Sequence, residues 1–249
     1  MHPILARITL GHFTFKIYTY GLMAAVGIAC GWACAILSAH RYKLQVELVD
    51  RIIFYSIIAG LIGSHYLYLI QYPESFKGWW SLVNILGAGR VWYGGFGAAV
   101  LFAVIYLKLH RKSVLQYFDL ISPCVALAHG FGRIGCFFNG CCYGLPSKKF
   151  GIFLQSVGMK VVPTQLISAF FLFLLFFILV LIRRVFDIGR GIVLGSYLVL
   201  YGAFRFGIEF LRGDPVPIWF HLRFSQWVSL VLILIGFLLL WMGARKKRK

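Results

Sequence analysis

Acidic residues are nearly missing from this chain. Only 7 Asp+Glu stand against 25 Lys+Arg in 249 residues, and charged residues of all kinds make up 13%. A soluble globular domain carries roughly 25% charged residues, so the shortage excludes that class. Hydrophobic residues fill 61% of the chain and the mean hydropathy is +0.84, which are values of an integral membrane protein. In a soluble chain the net charge of +18 would point to nucleic acid. Here it points to cytoplasmic loops and to contacts with anionic lipid, and no nucleic-acid partner is expected.

Other absences narrow the reading further. No internal repeat or linker is visible, so 1–249 is read as a single polytopic membrane domain. No cleavable signal peptide is expected, because the first apolar run is too long for an h-region and follows a polar lead-in. No second cysteine or histidine pair follows the cysteines of 136–142 at ligand spacing, which excludes a zinc finger. No strand pattern precedes Tyr93-Gly94-Gly95-Phe96-Gly97, which excludes a nucleotide loop. Those glycines are expected to permit close helix packing at lipid depth. No cofactor is expected, and no metal site is assigned.

What the chain does have is apolar runs of spanning length, at 17–39, 52–69, 91–107, 114–131, 164–182, 191–211 and 224–242. Each is near the ~20 residues that a helix needs to cross hydrocarbon. The expected fold is therefore an all-α integral membrane protein of about seven transmembrane helices. Basic residues follow the first, third, fifth and seventh runs: Arg41, Lys43 and Arg51; Lys108, Arg111 and Lys112; Arg183, Arg184 and Arg190; and the tail 245–249. If every run crosses, these clusters share one side, which places the N-terminus outside and the C-terminus in the cytoplasm. The longer loops, 70–90 and 132–163, then open outward and are the natural places for function.

Two constellations carry chemistry. The first is Gly132-Arg133-Ile134-Gly135-Cys136-Phe137-Phe138-Asn139-Gly140-Cys141-Cys142-Tyr143-Gly144 at the edge of the fourth run. A cation at membrane depth is costly unless it meets an anion or water, which makes Arg133 a functional candidate whose natural partner is a lipid phosphate. His129 lies four residues earlier, one helical turn away, and is a candidate base. The second constellation is Tyr201, Arg205, Glu209 and Arg212, which share one face of the sixth run at ~100° per residue. An Arg205–Glu209 pair at i, i+4 would neutralise itself, and Arg212 then leaves positive charge for a ligand.

At these residues the chain resembles the bacterial prolipoprotein diacylglyceryl transferases. The likeness runs through His2-Pro3, Tyr20-Gly21-Leu22-Met23, Gly94-Gly95, Gly132-Arg133-Ile134-Gly135, Asn139-Gly140, Tyr143-Gly144 and Pro163-Thr164-Gln165, then the 201–212 stripe and Gln226 with Ser229. The resemblance implies a seven-helix enzyme of the bacterial inner membrane. Such an enzyme moves a diacylglyceryl group from phosphatidylglycerol to the lipobox cysteine of a preprolipoprotein signal peptide, forming a thioether. It implies that Arg133 and Arg205 are the indispensable arginines and that Tyr20, Asn139, Tyr201, Glu209, Arg212 and Gln226 line the polar cavity. Tyr93 stands where the family usually has a histidine, a base candidate, and Cys136 and Cys141 stand where asparagine and glutamate are common.

The cysteines support an alternative. Cys136, Cys141 and Cys142 cluster on the expected outer face, where a disulfide, a soft-metal site or a reactive thiol can form. A non-transferase paralogue on the same scaffold, working as a membrane thiol protein in soft-metal or redox chemistry, would use them. Cys30, Cys34 and Cys124 lie inside apolar runs and are expected to be small buried residues.

Overall fold

The computed structural model describes residues 4–10, 13–76, 78–84, 91–214 and 218–245. His2, Pro3, residues 85–90 of the first long loop and 246–249 of the basic tail lie outside the described residues. Strands β1 (Ile4–Leu10) and β2 (Phe13–Tyr18) form an antiparallel hairpin that runs directly into helix α1 (Thr19–Arg41). Then come α2 (Val46–Gln71), the short α3 (Trp79–Val83), α4 (Trp92–Leu109) and α5 (Val114–Asn139). A hairpin of β3 (Ile152–Leu154) and β4 (Met159–Val161) precedes α6 (Thr164–Val185) and α7 (Ile192–Ile208). Strands β5 (Ile218–Trp219) and β6 (Leu222–Arg223) lead into α8 (Phe224–Arg245). Among the described residues seven helices are long and apolar enough to cross a membrane, one for each run in the sequence.

The helices gather into two compact units. The first comprises Met1–Ala35 and Leu115–Lys249. Its core joins Ala126 of α5, Leu172, Leu175 and Leu179 of α6, and Val193, Tyr197 and Tyr201 of α7. Lipid offers no hydrophobic force between helices, so close packing has to come from small residues. A Cβ on Gly27 of α1 would lie 2.6 Å from the Ala128 carbonyl oxygen of α5, and one on Gly31 would lie 2.9 Å from that of Cys124. Gly195 of α7 and Gly236 of α8 meet in the same way, at 2.9 and 2.8 Å from each other's carbonyl oxygens. At the start of α7, the Asp119 carboxylate accepts the amides of Gly189, Gly191 and Leu194 at 2.9, 2.8 and 2.9 Å. One buried acid thus satisfies donors that a helix start leaves orphaned, in the place where the helix dipole favours negative charge.

The second unit, Ile36–Val114, is built on the crossing of α2 and α4. A Cβ on Gly63 would sit 2.4 Å from Ala98 Cβ and 2.6 Å from the Gly94 carbonyl oxygen, and one on Gly94 would sit 2.5 Å from the Gly63 oxygen. The paired glycines are thus a packing device, as expected. Gly63→Ala should push the two helices apart and destabilise the unit by about 1–3 kcal/mol, the usual range for overpacking. A lowered thermal midpoint in detergent would show it, and an unchanged midpoint would remove the assignment. In the same unit His65 is fully buried and its Nε2 donates to the Ser81 carbonyl oxygen at 2.7 Å, a structural role. The Tyr93 ring lies edge-on to Trp92 at 5.4 Å.

One boundary differs from the sequence reading in a way that matters. The fourth apolar run ends at residue 131, whereas α5 continues to Asn139 and carries Arg133 and Cys136 on its last turns. A backbone at membrane depth has no water to satisfy it, so the helix persists past the loss of apolar side chains. It stops at Gly140, whose φ of +73° opens the left-handed region. The Gly140 amide bonds the Phe137 oxygen at 3.1 Å and the Cys141 amide bonds the Cys136 oxygen at 3.2 Å, which together make a Schellman C-cap.

Candidate active site

Helix α5 delivers the first cation. Arg133 Nε donates to His129 Nε2 at 3.2 Å, one turn back on the same face. That bond requires a lone pair on Nε2, so His129 is a neutral imidazole whose acceptor is already engaged. The His129 ring lies 5.4 Å from Tyr201 of α7, and Tyr201 in turn stacks on Tyr197 at 5.7 Å. Among the described residues no carboxylate forms an ion pair with Arg133. Charge or dipole interactions do link it to Tyr201, Cys136, Cys142 and Arg212. Tyr20, at the start of α1, is held against α5 where Gly135 lets its Cδ2 come within 3.2 Å of a built Cβ, and it feels Cys136, Cys141, Cys142 and Arg133.

Helix α7 delivers the second cation. Arg205 pairs with Glu209 at 2.7 Å, the self-neutralising contact expected from i, i+4 spacing. The Glu209 side chain is 1% exposed and also meets Arg223 at 3.4 Å and Arg212 at 3.9 Å. Arg212 further binds Asp214 through both of its ends. Three guanidinium groups, on Arg205, Arg212 and Arg223, therefore surround two carboxylates, those of Glu209 and Asp214, and Arg133 stands in electrostatic range of Arg205 and Arg212. The cluster keeps an excess of positive charge, and Arg133 and Arg205 each sense the other.

Arg212 reaches this cluster by a different route from the expected helical stripe. α7 ends at Ile208, Glu209–Leu211 form one tight 3-10 turn, and Arg212 is extended with ψ 133°. Strand-like bridges place it instead. The Leu145 amide bonds the Leu211 oxygen at 2.8 Å, the Gly213 amide bonds the Tyr143 oxygen at 3.0 Å, and the Gly144 amide bonds the Val162 oxygen at 2.9 Å. Residues 143–145 are thereby stitched between 211–213 and the end of β4. Gly144 has to be glycine here, because a Cβ would lie 2.6 Å from the Val162 oxygen and 2.8 Å from that of Leu211. Burial works against the Arg212 cation, but its hydrogen bond to Asp214 and the nearby Cys142 and Glu209 outweigh that and raise its pKa, so it stays charged.

Gln226 is 3% exposed and spoken for at both ends of its amide. Its Oε1 accepts the Arg223 amide at 2.9 Å and its Nε2 donates to the Phe206 oxygen at 3.4 Å. This is half of a capping box at the start of α8, and it fixes Arg223 beside Glu209. The sequence reading missed Arg223 and Asp214. The signal for Arg223 was its place three residues before Gln226, at capping-box spacing.

The three loop cysteines come together. Their sulfur atoms lie within 4.8 Å of one another. The Cys141 carbonyl accepts from Gln165 Nε2 and the Cys142 carbonyl from Thr164 Oγ1, both at 2.7 Å, which ties the loop to the first turn of α6. Hydrogen bonds from Cys136 and Cys141 favour the Cys142 thiolate against burial, with help from Arg212 and Arg133, and lower its pKa. Cys141 moves the other way. Its bond from Cys136 is outweighed by its bond to Cys142 and by burial, so its pKa is raised. Asn139, exposed at the end of α5, hydrogen-bonds Cys141. Cys34 and Cys124 meet between α1 and α5 at 3.2 Å. Tyr93 belongs to the second unit.

Known proteins resemble this chain over nearly its whole length. A family model described as prolipoprotein diacylglyceryl transferase matches residues 7–242. A phosphatidylglycerol–prolipoprotein diacylglyceryl transferase from Clostridium tetani is 38% identical over 246 residues, covering 95% of both chains. Transferase 2 of Clostridium perfringens is 34% identical and covers 98% of both, and the Finegoldia magna enzyme is 30% identical over 94% of both. With a guanidinium cluster at the ends of apolar helices and matches of this extent, the chain belongs to the prolipoprotein diacylglyceryl transferase family.

Proposed function

We propose that this protein transfers the diacylglyceryl group of phosphatidylglycerol to the lipobox cysteine thiol of preprolipoproteins, in the bacterial inner membrane and with its N-terminus outside. The observation that carries the reading is the guanidinium excess around Glu209 and Asp214. In the reaction the lipobox sulfur gives up its proton and forms a bond to the glycerol carbon that bears the phosphoester. The carbon–oxygen bond breaks, and glycerol phosphate leaves with the electron pair. Negative charge grows on phosphate oxygen in a medium with little water, so fixed guanidinium donors stabilise the transition state more than the ground state. In this reading Arg133 and Arg205 bind the phosphate, while Arg212, Tyr20, Tyr201 and Asn139 line the headgroup site. Glu209 and Gln226 position the arginines. The likenesses give no support to a thiol protein without transferase activity.

The thiol needs little help from a base. An ordinary cysteine has a pKa near ~8.5 and is already a few per cent thiolate at neutral pH, and nearby guanidinium groups raise that share. His129 then acts as a positioning residue that holds Arg133 through its Nε2. His129→Ala is expected to slow transfer about 10-fold with no change in the shape of the pH profile, and His129→Gln, which keeps an acceptor, should recover most of the rate. An inflection near ~6.5 that disappears in His129→Ala would instead make His129 the base.

The experiment that tests the function is complementation of a strain depleted of its own transferase, read as the lipid modification of a reporter lipoprotein. Modified lipoprotein is expected. Full-length protein in the membrane with no modification would overturn the assignment.

A further inference from the structure

Cys136, Cys141 and Cys142 are held in a geometry that the transfer reaction does not use. Their sulfurs lie within 4.8 Å of one another. Three sulfurs around one ion at ~2.3 Å, in a plane, are about 4 Å apart, so the cluster needs only a small closure to ligate. Its backbone is fixed before any ion arrives. The Schellman cap bonds the Cys141 amide to Cys136, Gln165 holds the Cys141 carbonyl and Thr164 holds that of Cys142. Gln165 and Thr164 are 1% and 2% exposed, so these are buried, rigid supports of the kind that orient metal ligands. Cys142 also sits at φ +60°, a left-handed conformation that a residue with a Cβ rarely adopts. The fold holds that conformation, and it brings the third sulfur to the other two.

We propose that Cys136, Cys141 and Cys142 form a three-thiolate site for a thiophilic metal cation, of the Cu⁺, Zn²⁺ or Hg²⁺ kind, and that its occupation stops lipid transfer. Thiolates select such soft ions, and a site built of sulfur alone has no oxygen ligands to offer Mg²⁺ or Ca²⁺. A divalent ion bound by three thiolates makes a complex of charge −1, and the protons still held by the thiols pass to solvent as it forms. Arg133 and Arg212, which lie in electrostatic range of the cluster, supply the counter-charge. Those are the groups assigned above to the phosphate and its surroundings, so metal and lipid headgroup compete for the same cations. This second half of the proposal rests on the transferase reading; the first half does not.

The test uses the full-length protein in detergent with Cys30, Cys34 and Cys124 changed to Ala, because the Cys34–Cys124 pair at 3.2 Å would take up Hg²⁺ on its own. The probe is Hg²⁺ under thiol-free, anaerobic conditions, read by X-ray absorption at the Hg edge. One equivalent with three sulfur neighbours is expected, falling to two neighbours in Cys142→Ser. Gln165→Leu, which leaves the sulfurs in place and removes a support, should loosen binding about 10–100-fold. Two sulfur neighbours before Cys142 is changed, or binding that ignores all three cysteines, would overturn the site. In the same background, one equivalent of Hg²⁺ should abolish transfer and a dithiol chelator should restore it. Undiminished transfer with the ion bound would overturn the regulatory half. Absence of transfer before any metal is added would count against the transferase reading, while the absorption result still decides the site.

Discussion

Arg133→Ala and Arg205→Ala are each expected to lower diacylglyceryl transfer by at least ~10²–10³-fold, the cost of removing one preorganised donor from a developing oxyanion. The two arginines lie on different helices, α5 and α7, and sense each other's charge. In the absence of phosphate that repulsion has no benefit, which is why a substrate anion is the economical explanation for placing them together. Lysine should rescue poorly, because an ammonium group cannot reproduce the planar two-donor fork that fits phosphate. Rates with a lipobox peptide, measured on protein shown by yield and monodispersity to be folded, test this. Near-normal transfer in either alanine variant would remove the phosphate clamp.

Glu209→Ala is expected to have the largest effect on the protein itself. Its carboxylate is 1% exposed and faces Arg205, Arg223 and Arg212 at 2.7, 3.4 and 3.9 Å. Removing one partner of a buried ion pair costs about 3–5 kcal/mol, because charges are left uncompensated away from water. Here three guanidinium groups lose their shared counter-ion; Asp214 still faces Arg212 and Arg223, while Arg205 loses the carboxylate it pairs with. A fall in thermal midpoint and membrane yield together with loss of transfer is expected. Glu209→Gln should recover part of the stability and little of the activity. If Glu209→Ala were as stable as the wild type, Glu209 would not be the organising anion.

Much of this was legible in the sequence, for identifiable reasons. The seven crossings follow from apolar runs, because a helix in lipid needs length and hydrophobicity more than a specific pattern. Arg205 stands out because a cation in an apolar run has to be explained, and Arg133 because it sits at the edge of one. Gly94 and Gly95 were read as packing residues, and the contact of Gly94 with Gly63 is of that kind. Arg212 joined the cluster as expected, but through pairing of 143–145 with 211–213 rather than through helical periodicity.

Other features depend on contacts between distant segments, and local patterns carry little trace of them. Nothing near Cys136 shows that the amide of Gln165 and the hydroxyl of Thr164 will fix the carbonyls of Cys141 and Cys142. The role of Asp119, which binds three amides at the start of α7 some 70 residues later, is equally invisible in the chain. The end of α5 was misplaced because hydropathy falls at Gly132 while the backbone still needs its hydrogen bonds. The spacing of His129 to Arg133 makes it a candidate base in the sequence. The same spacing lets Arg133 take up its acceptor nitrogen, and sequence alone cannot separate the two outcomes.

The central claim is that this cationic cluster moves a diacylglyceryl group from phosphatidylglycerol to a lipobox thiol. Purified wild-type protein in phosphatidylglycerol micelles with a lipobox peptide tests it most directly, with the peptide followed by mass spectrometry and the released headgroup by its phosphate. The account predicts a diacylglyceryl thioether on the peptide cysteine and one glycerol phosphate released for each thioether formed, both lost when the cysteine is changed to serine. Folded protein that yields neither product, or that modifies the serine peptide equally well, would contradict it.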